Sequence, residues 1–119
     1  MEARAAQLAE RFLNYAADIV RLMVKVRRTY AGRELSGQLL RSGTSAGANY
    51  QEACGAQSRA DFIHKLQIVF KELRETHFWL RLIVRADICK DEGLDRLIEE
   101  TEALISIIAR SLITAKKSR

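Results

Sequence analysis

Asp61 and His64 lie three residues apart, and so do Glu72 and Glu75. Such spacings put both members of a pair on one face of a helix, where they could begin a metal site. A dinuclear carboxylate centre in a four-helix protein needs Glu-x-x-His on each of two helices and a further glutamate from each of the other two. The chain has one Asp-x-x-His and no Glu-x-x-His. Asp61 is better used in a helix cap, and Glu52, which could face Glu72 and Glu75, does not replace the missing histidine motif. No metal and no cofactor is expected. Nucleophilic catalysis has less support still. Ser42 and Ser45 share one helix, His64 and His77 another, and no strained turn presents a serine beside an oxyanion site. No catalytic residue is assigned, and the chain is not expected to be an enzyme.

Two other groups carry binding chemistry. Arg74, Phe78, Arg81 and Arg85 follow one another at spacings of four, three and four. That is a cationic stripe with one aromatic in it, suited to phosphates and to stacking a base. The alternative is a solvated face whose arginine stems cover apolar surface. Ser42, Ser45, Asn49 and Glu52 form a polar group on the preceding helix. Asn49 falls on that helix's apolar seam, and a buried amide needs partners. A structural polar network reaching Glu72 or Glu75 is expected, fixing the register of the two helices as single buried polar groups do in coiled coils.

Four helices must position these groups. Helix 1 is predicted over Glu2 to Thr29, with the seam Leu8, Phe12, Tyr15, Ile19, Leu22 and Val26, and Ala31-Gly32 ending it. Helix 2 runs from Glu34 to Ala53 with the seam Leu35, Leu39, Ser42, Ala46, Asn49 and Ala53. Its second half, from Ser42 to Ala53, keeps helical spacing with small and polar residues, so its neighbours must hold it. Gly43 and Gly47 lie on one ridge there and could let a neighbouring subunit approach closely.

Helix 3 starts at Ser58 as N-cap, with Asp61 three residues on, and runs to Arg85. Its seam is Phe62, Leu66, Val69, Leu73, Thr76, Leu80 and Ile83. A second apolar set includes Ile63, Ile68, Phe70, Phe78, Trp79, Leu82 and Val84. Phe78 and Trp79 point about 100° apart and cannot both join the seam. Leaving them in water would expose a sticky patch, so they are assigned with Gly43 and Gly47 to an oligomer interface. Helix 4 is predicted over Asp91 to Lys116, with the seam Leu94, Ile98, Thr101, Ile105, Ile108 and Leu112. Lys117-Ser118-Arg119 is expected to fray.

The 119-residue chain has no proline, which suits long helices, and its length suits one domain over residues 1–119. Four helices with short turns pack as an all-α, antiparallel up-down-up-down four-helix bundle. A formal charge of +5 permits an acidic partner such as RNA or DNA. Much of that charge should be neutralised internally. Arg21, Lys25, Arg27 and Arg28 close helix 1, and Asp91, Glu92, Asp95, Glu99, Glu100 and Glu102 open helix 4, its antiparallel neighbour. No apolar run is long enough for a membrane span, and Met1-Glu2-Ala3-Arg4 opens straight into an amphipathic pattern. A cytoplasmic protein with reduced Cys54 and Cys89, and no membrane partner, is expected.

The run from Leu40-Arg41-Ser42 to Asn49-Tyr50-Gln51-Glu52-Ala53, a short glycine-containing turn, and then Ser58-Arg59-Ala60-Asp61-Phe62-Ile63, Leu66, Lys71-Glu72-Leu73 and Glu75 resembles a known family. These are the bacterial four-helix-bundle proteins encoded by intervening sequences within large-subunit ribosomal RNA genes. The resemblance covers essentially the whole chain. Arg59 departs from the usual lysine, and His77, Phe78 and Trp79 stand where leucines and polar residues are commoner. The resemblance implies a homopentamer with no assigned biochemical activity. A more distant likeness, to the accessory protein of diversity-generating retroelements, implies a nucleic-acid partner and a nucleic-acid enzyme such as a reverse transcriptase. The expected role is an assembly or adaptor module, with nucleic-acid binding as the alternative.

Overall fold

A computed structural model describes residues 2–117 of the chain. Four helices follow in order: α1 Ala3–Val26, α2 Tyr30–Cys54, α3 Arg59–Arg85 and α4 Glu92–Lys117. Lys117 is the last residue of α4 rather than part of a frayed tail, and Ser118 and Arg119 lie outside the described residues.

Cross-helix contacts give the topology. Phe12 stacks on Tyr50 with ring centroids 5.2 Å apart, while Ile19 faces Gly43, so α2 runs back along α1. Ser42 meets Thr76 and Glu52 meets Lys65, so α3 runs back along α2. Tyr15 meets Thr101 and Lys25 meets Asp91, so α4 is antiparallel to α1. The bundle is therefore up-down-up-down, and α1 and α3 stand at opposite corners.

The core follows the seams. Phe12, Tyr15, Ile19, Leu22 and Val26 of α1 meet Leu39, Ala46, Tyr50 and Ala53 of α2, together with Leu66, Val69, Leu73, Leu80 and Ile83 of α3. Each such large side chain contributes about 1.5–3 kcal/mol on burial. On α4 the expected register is partly corrected. Leu94, Leu97, Thr101, Leu104 and Ile108 are buried, whereas Ile98, Ile105 and Leu112 sit at the margin of the core. The α4 sequence offers two adjacent apolar ridges. The Tyr15 hydroxyl lies 2.6 Å from Thr101 Oγ1, and Thr101 itself donates to the Leu97 carbonyl (2.6 Å). Tyr15 is therefore the donor to Thr101. Burial pushes the Tyr15 phenol well above its ordinary pKa.

Gly32 does not end helix 1. α1 stops at Val26, Thr29 caps α2 by accepting from the Gly32 N–H (2.9 Å), and Gly32 sits buried in the first turn of α2. A Cβ there would stand 1.8 Å from the Val26 carbonyl oxygen, so the tight α1–α2 turn requires glycine. Ser58 caps α3 as expected, accepting from the Asp61 N–H (3.0 Å). α3 ends in a Schellman motif. Ile88 N donates to the Ile83 carbonyl (3.1 Å) and Asp87 N to that of Val84 (3.2 Å), with Asp87 at φ 54°.

Candidate functional site

The expected polar network between α2 and α3 exists in a different form. Arg41, which the sequence reading did not include, is its centre. Its guanidinium donates to Glu72 Oε2 (2.8 Å) and also pairs with Glu75. Glu72 is only 4% exposed, so Arg41 supplies the partner that its buried carboxylate requires. Glu75 Oε2 also accepts from Trp79 Nε1 (3.1 Å). Arg41 and then the Trp79 N–H hold the Glu75 carboxyl below the usual carboxylate range. One turn along, the Thr76 hydroxyl reaches both Ser42 Oγ and the Glu72 carbonyl at 2.8 Å.

Asn49 does not join this network. Its amide donates to the Ser45 carbonyl (2.9 Å) and Ser45 Oγ (3.0 Å) within its own helix. Glu52 pairs with Lys65 at 2.6 Å. The predicted network is thus three separate groups. The signal that would have found Arg41 was its place beside Ser42, opposite Glu72-x-x-Glu75 in the antiparallel register.

Gly43 and Gly47, offered by sequence to a neighbouring subunit, face α1 of the same chain. A Cβ on Gly43 would lie 2.8 Å from Ile19 Cγ2, and one on Gly47 3.1 Å from Phe12 Cβ. Their smallness is used inside the subunit, where it lets α1 and α2 approach closely. Trp79 likewise packs against the core, and its indole N–H is held by Glu75. Phe78 is the outward aromatic, 58% exposed, edge-on to Trp79 at 5.1 Å.

A second outward apolar surface lies on α1. Leu13, Val20 and Val24, spaced seven and four, are 63%, 40% and 55% exposed on α1. They form a ridge on the side of α1 away from its core seam. Beside its Leu13 end lies a hollow between α1 and α2, lined by Ala9, Phe12, Ala16, Gly47 and Ala48 among others.

Charges divide between the two sides of the molecule. At the α1–α4 seam, Arg11 makes a two-pronged pair with Glu100, both bonds 2.7 Å, and Lys25 pairs with Asp91. Arg21 bonds Asp18 at 2.7 Å. Lys25 and then the Gly93 N–H hold the Asp91 carboxyl below its ordinary range. These pairs rim a groove of about 630 Å³ floored by Tyr15, Leu22 and Leu97. The expected internal neutralisation of helix 1 is present in the Lys25–Asp91 contact. On α3 the pattern differs. Arg74, Arg81 and Arg85 are exposed, and none joins an ion pair among the described residues. Arg74 lies over the Phe70 ring at 5.8 Å, and Phe78 stands between Arg74 and Arg81 along the helix.

Among the described residues no group of three or more His, Cys, Asp or Glu side chains stands close enough to hold a metal ion. Asp61 and His64 are both exposed. His77 faces Glu102 across α3 and α4 (2.9 Å). Cys54 and Cys89 are free thiols. No helix of the described residues is long and apolar enough to cross a membrane.

Comparisons with known proteins agree with this geometry. The family model described as 23S rRNA-intervening sequence protein matches residues 4–110. A crystal structure of a protein of unknown function from the S23 ribosomal protein family of Bacteroides thetaiotaomicron is similar at 35% identity and a TM-score of 0.83. The match covers 91% of this chain and 96% of that one. No curated protein sequence matches. The chain belongs to the 23S rRNA-intervening sequence protein family, and neither description names an enzymatic activity.

Proposed function

We propose that this member of the intervening-sequence family is a non-enzymatic assembly module, acting as a closed homo-oligomer. The observation that carries the reading is the outward ridge of α1. A helix that already buries Phe12, Tyr15, Ile19, Leu22 and Val26 still holds Leu13, Val20 and Val24 in water. Such a second apolar stripe is what a subunit interface uses. Five subunits are what the family resemblance implies. Light scattering on a sized sample then gives about five times the chain mass. Leu13→Gln with Val24→Gln lowers that mass while far-ultraviolet circular dichroism stays helical. A wild-type monomer at micromolar concentration overturns the reading.

Nucleic-acid binding is the second reading, and the unpaired arginines of α3 favour it. At the α1–α4 seam Arg11 and Lys25 are paired with Glu100 and Asp91, whereas Arg74, Arg81 and Arg85 keep their charge for a partner. A ring would repeat the stripe and multiply a weak attraction. Since α1 and α3 occupy opposite corners, one face can assemble while the other binds. RNA or DNA affinity should fall steeply with salt, and replacing all three arginines by alanine should flatten that dependence. Equal binding by wild type and triple variant excludes this site.

A further inference from the structure

The α3 stripe has a feature that charge alone does not need. Phe78 stands 58% exposed in the middle of the arginines, and its ring meets Trp79 edge-on at 5.1 Å. Trp79 is itself fixed by its bond to Glu75, which Arg41 holds from α2. The outward ring is therefore backed by a braced second ring. Arg74 and Arg85 are about 16 Å apart along the helix axis, with Arg81 between them. We infer that this surface takes single-stranded rather than duplex nucleic acid, with an unpaired base on Phe78 and neighbouring phosphates on Arg74, Arg81 and Arg85. The inference rests on the nucleic-acid reading and narrows it.

The physical argument is one of complementary surfaces. A duplex presents phosphates outward and keeps its base faces stacked inside, so it offers Phe78 nothing apolar to cover it. A single strand exposes base faces between phosphates, and an aromatic flanked by cations meets both. Stacking of this kind tolerates any base, so the surface needs no sequence preference.

The test uses the intact protein and fluorescein-labelled 12-mers: single-stranded RNA, single-stranded DNA, and a duplex of the same sequence. Anisotropy is read at about 50 mM and about 200 mM salt. Both single strands are expected to bind about tenfold tighter than duplex, the scale of one stacked base. Phe78→Leu should remove most of that preference and leave duplex binding unchanged. Unlabelled strands should quench Trp79, the chain's one tryptophan, more than duplex does. Equal affinity for strand and duplex, or no effect of Phe78→Leu, overturns the single-strand inference. If salt dependence and loss on replacing the arginines persist, the broader reading survives that failure. No binding of any probe at the lower salt overturns both.

Discussion

Toward α1, helix α2 presents hydrogen atoms where side chains would stand: Gly32, Gly43 and Gly47 let Val26, Ile19 and Phe12 come against its backbone. Toward α3 the same helix presents Arg41 and Ser42, which bond Glu72, Glu75 and Thr76. One face is held by close packing, which is sensitive to single added atoms and indifferent to pH. The other is held by charged and hydroxyl groups, which tolerate shape changes but depend on protonation. A helix of low intrinsic propensity thus owes its stability to two kinds of neighbour, and each kind fails in its own way.

The largest effect should come from the packed face. Gly32→Ala puts a Cβ 1.8 Å from the Val26 carbonyl oxygen. Backbone cannot swing aside as a side-chain tip can. The α1–α2 turn must open, at a cost of about 3 kcal/mol or more. Urea unfolding reads this directly, and a loss under about 1 kcal/mol would show that the turn is loose.

Arg41→Ala tests the polar face. It leaves the buried Glu72 carboxylate without its partner, at a cost of about 1–2 kcal/mol, lower than for a fully buried pair because Arg41 itself is half exposed. The sign of the pH dependence is distinctive. Glu75 has a lowered pKa in the folded chain, so its contribution is present above the unfolded value, about 4, and is lost as pH falls through the lowered one. Wild-type stability should therefore fall on acidification below about pH 4. Arg41→Ala should flatten that fall without abolishing it, because Asp91 keeps its own lowered pKa beside Lys25. An unchanged acid slope in the variant would mean that Arg41 does not set the Glu75 carboxyl.

Gly43→Ala brings the comparison back to the packed face at a smaller scale. Alanine gains about 1 kcal/mol of helix propensity over glycine. Against this, its Cβ would lie 2.8 Å from Cγ2 of the fully buried, β-branched Ile19. Overpacking costs about 1–3 kcal/mol. A net loss of about 1 kcal/mol is expected, with the acid slope unchanged. Parallel loss of slope would show that the two faces are coupled.

The same division explains what was legible in the sequence. Helix number, order and most seams follow from periodicity, which reports the side of a helix that faces apolar neighbours. The Ser58 cap and the Lys25–Asp91 contact follow from residue type and antiparallel order. Gly32 and Gly43 were misread because a glycine carries no mark of what approaches it. Gly32 looked like a helix end, and Gly43 like a gap for another subunit. Periodicity does not single out Leu97 and Leu104, because α4 offers two ridges that share Leu94, Thr101 and Ile108, and only packing against the neighbouring helices chooses between them. Arg41 carries no mark of its pairing because that depends on cross-helix register, and Leu13, Val20 and Val24 stand out little because a complete core seam already accounts for the amphipathic pattern of α1.

Gly37 supplies the smallest effect, opposite in sign. It lies on α2 like Gly32, Gly43 and Gly47, but a Cβ there would meet nothing within 4 Å, and the residue is exposed. Nothing in the subunit opposes Gly37→Ala, so the propensity gain should appear undiminished, about 0.5–1 kcal/mol of added stability. Set beside Gly43→Ala, it separates backbone preference from packing, since both replace a mid-helix glycine by the same residue. If Gly37→Ala stabilises a dilute sample but destabilises a concentrated one, a second chain fills the space that the subunit leaves open. The α2 surface would then belong to the assembly along with the outward ridge of α1.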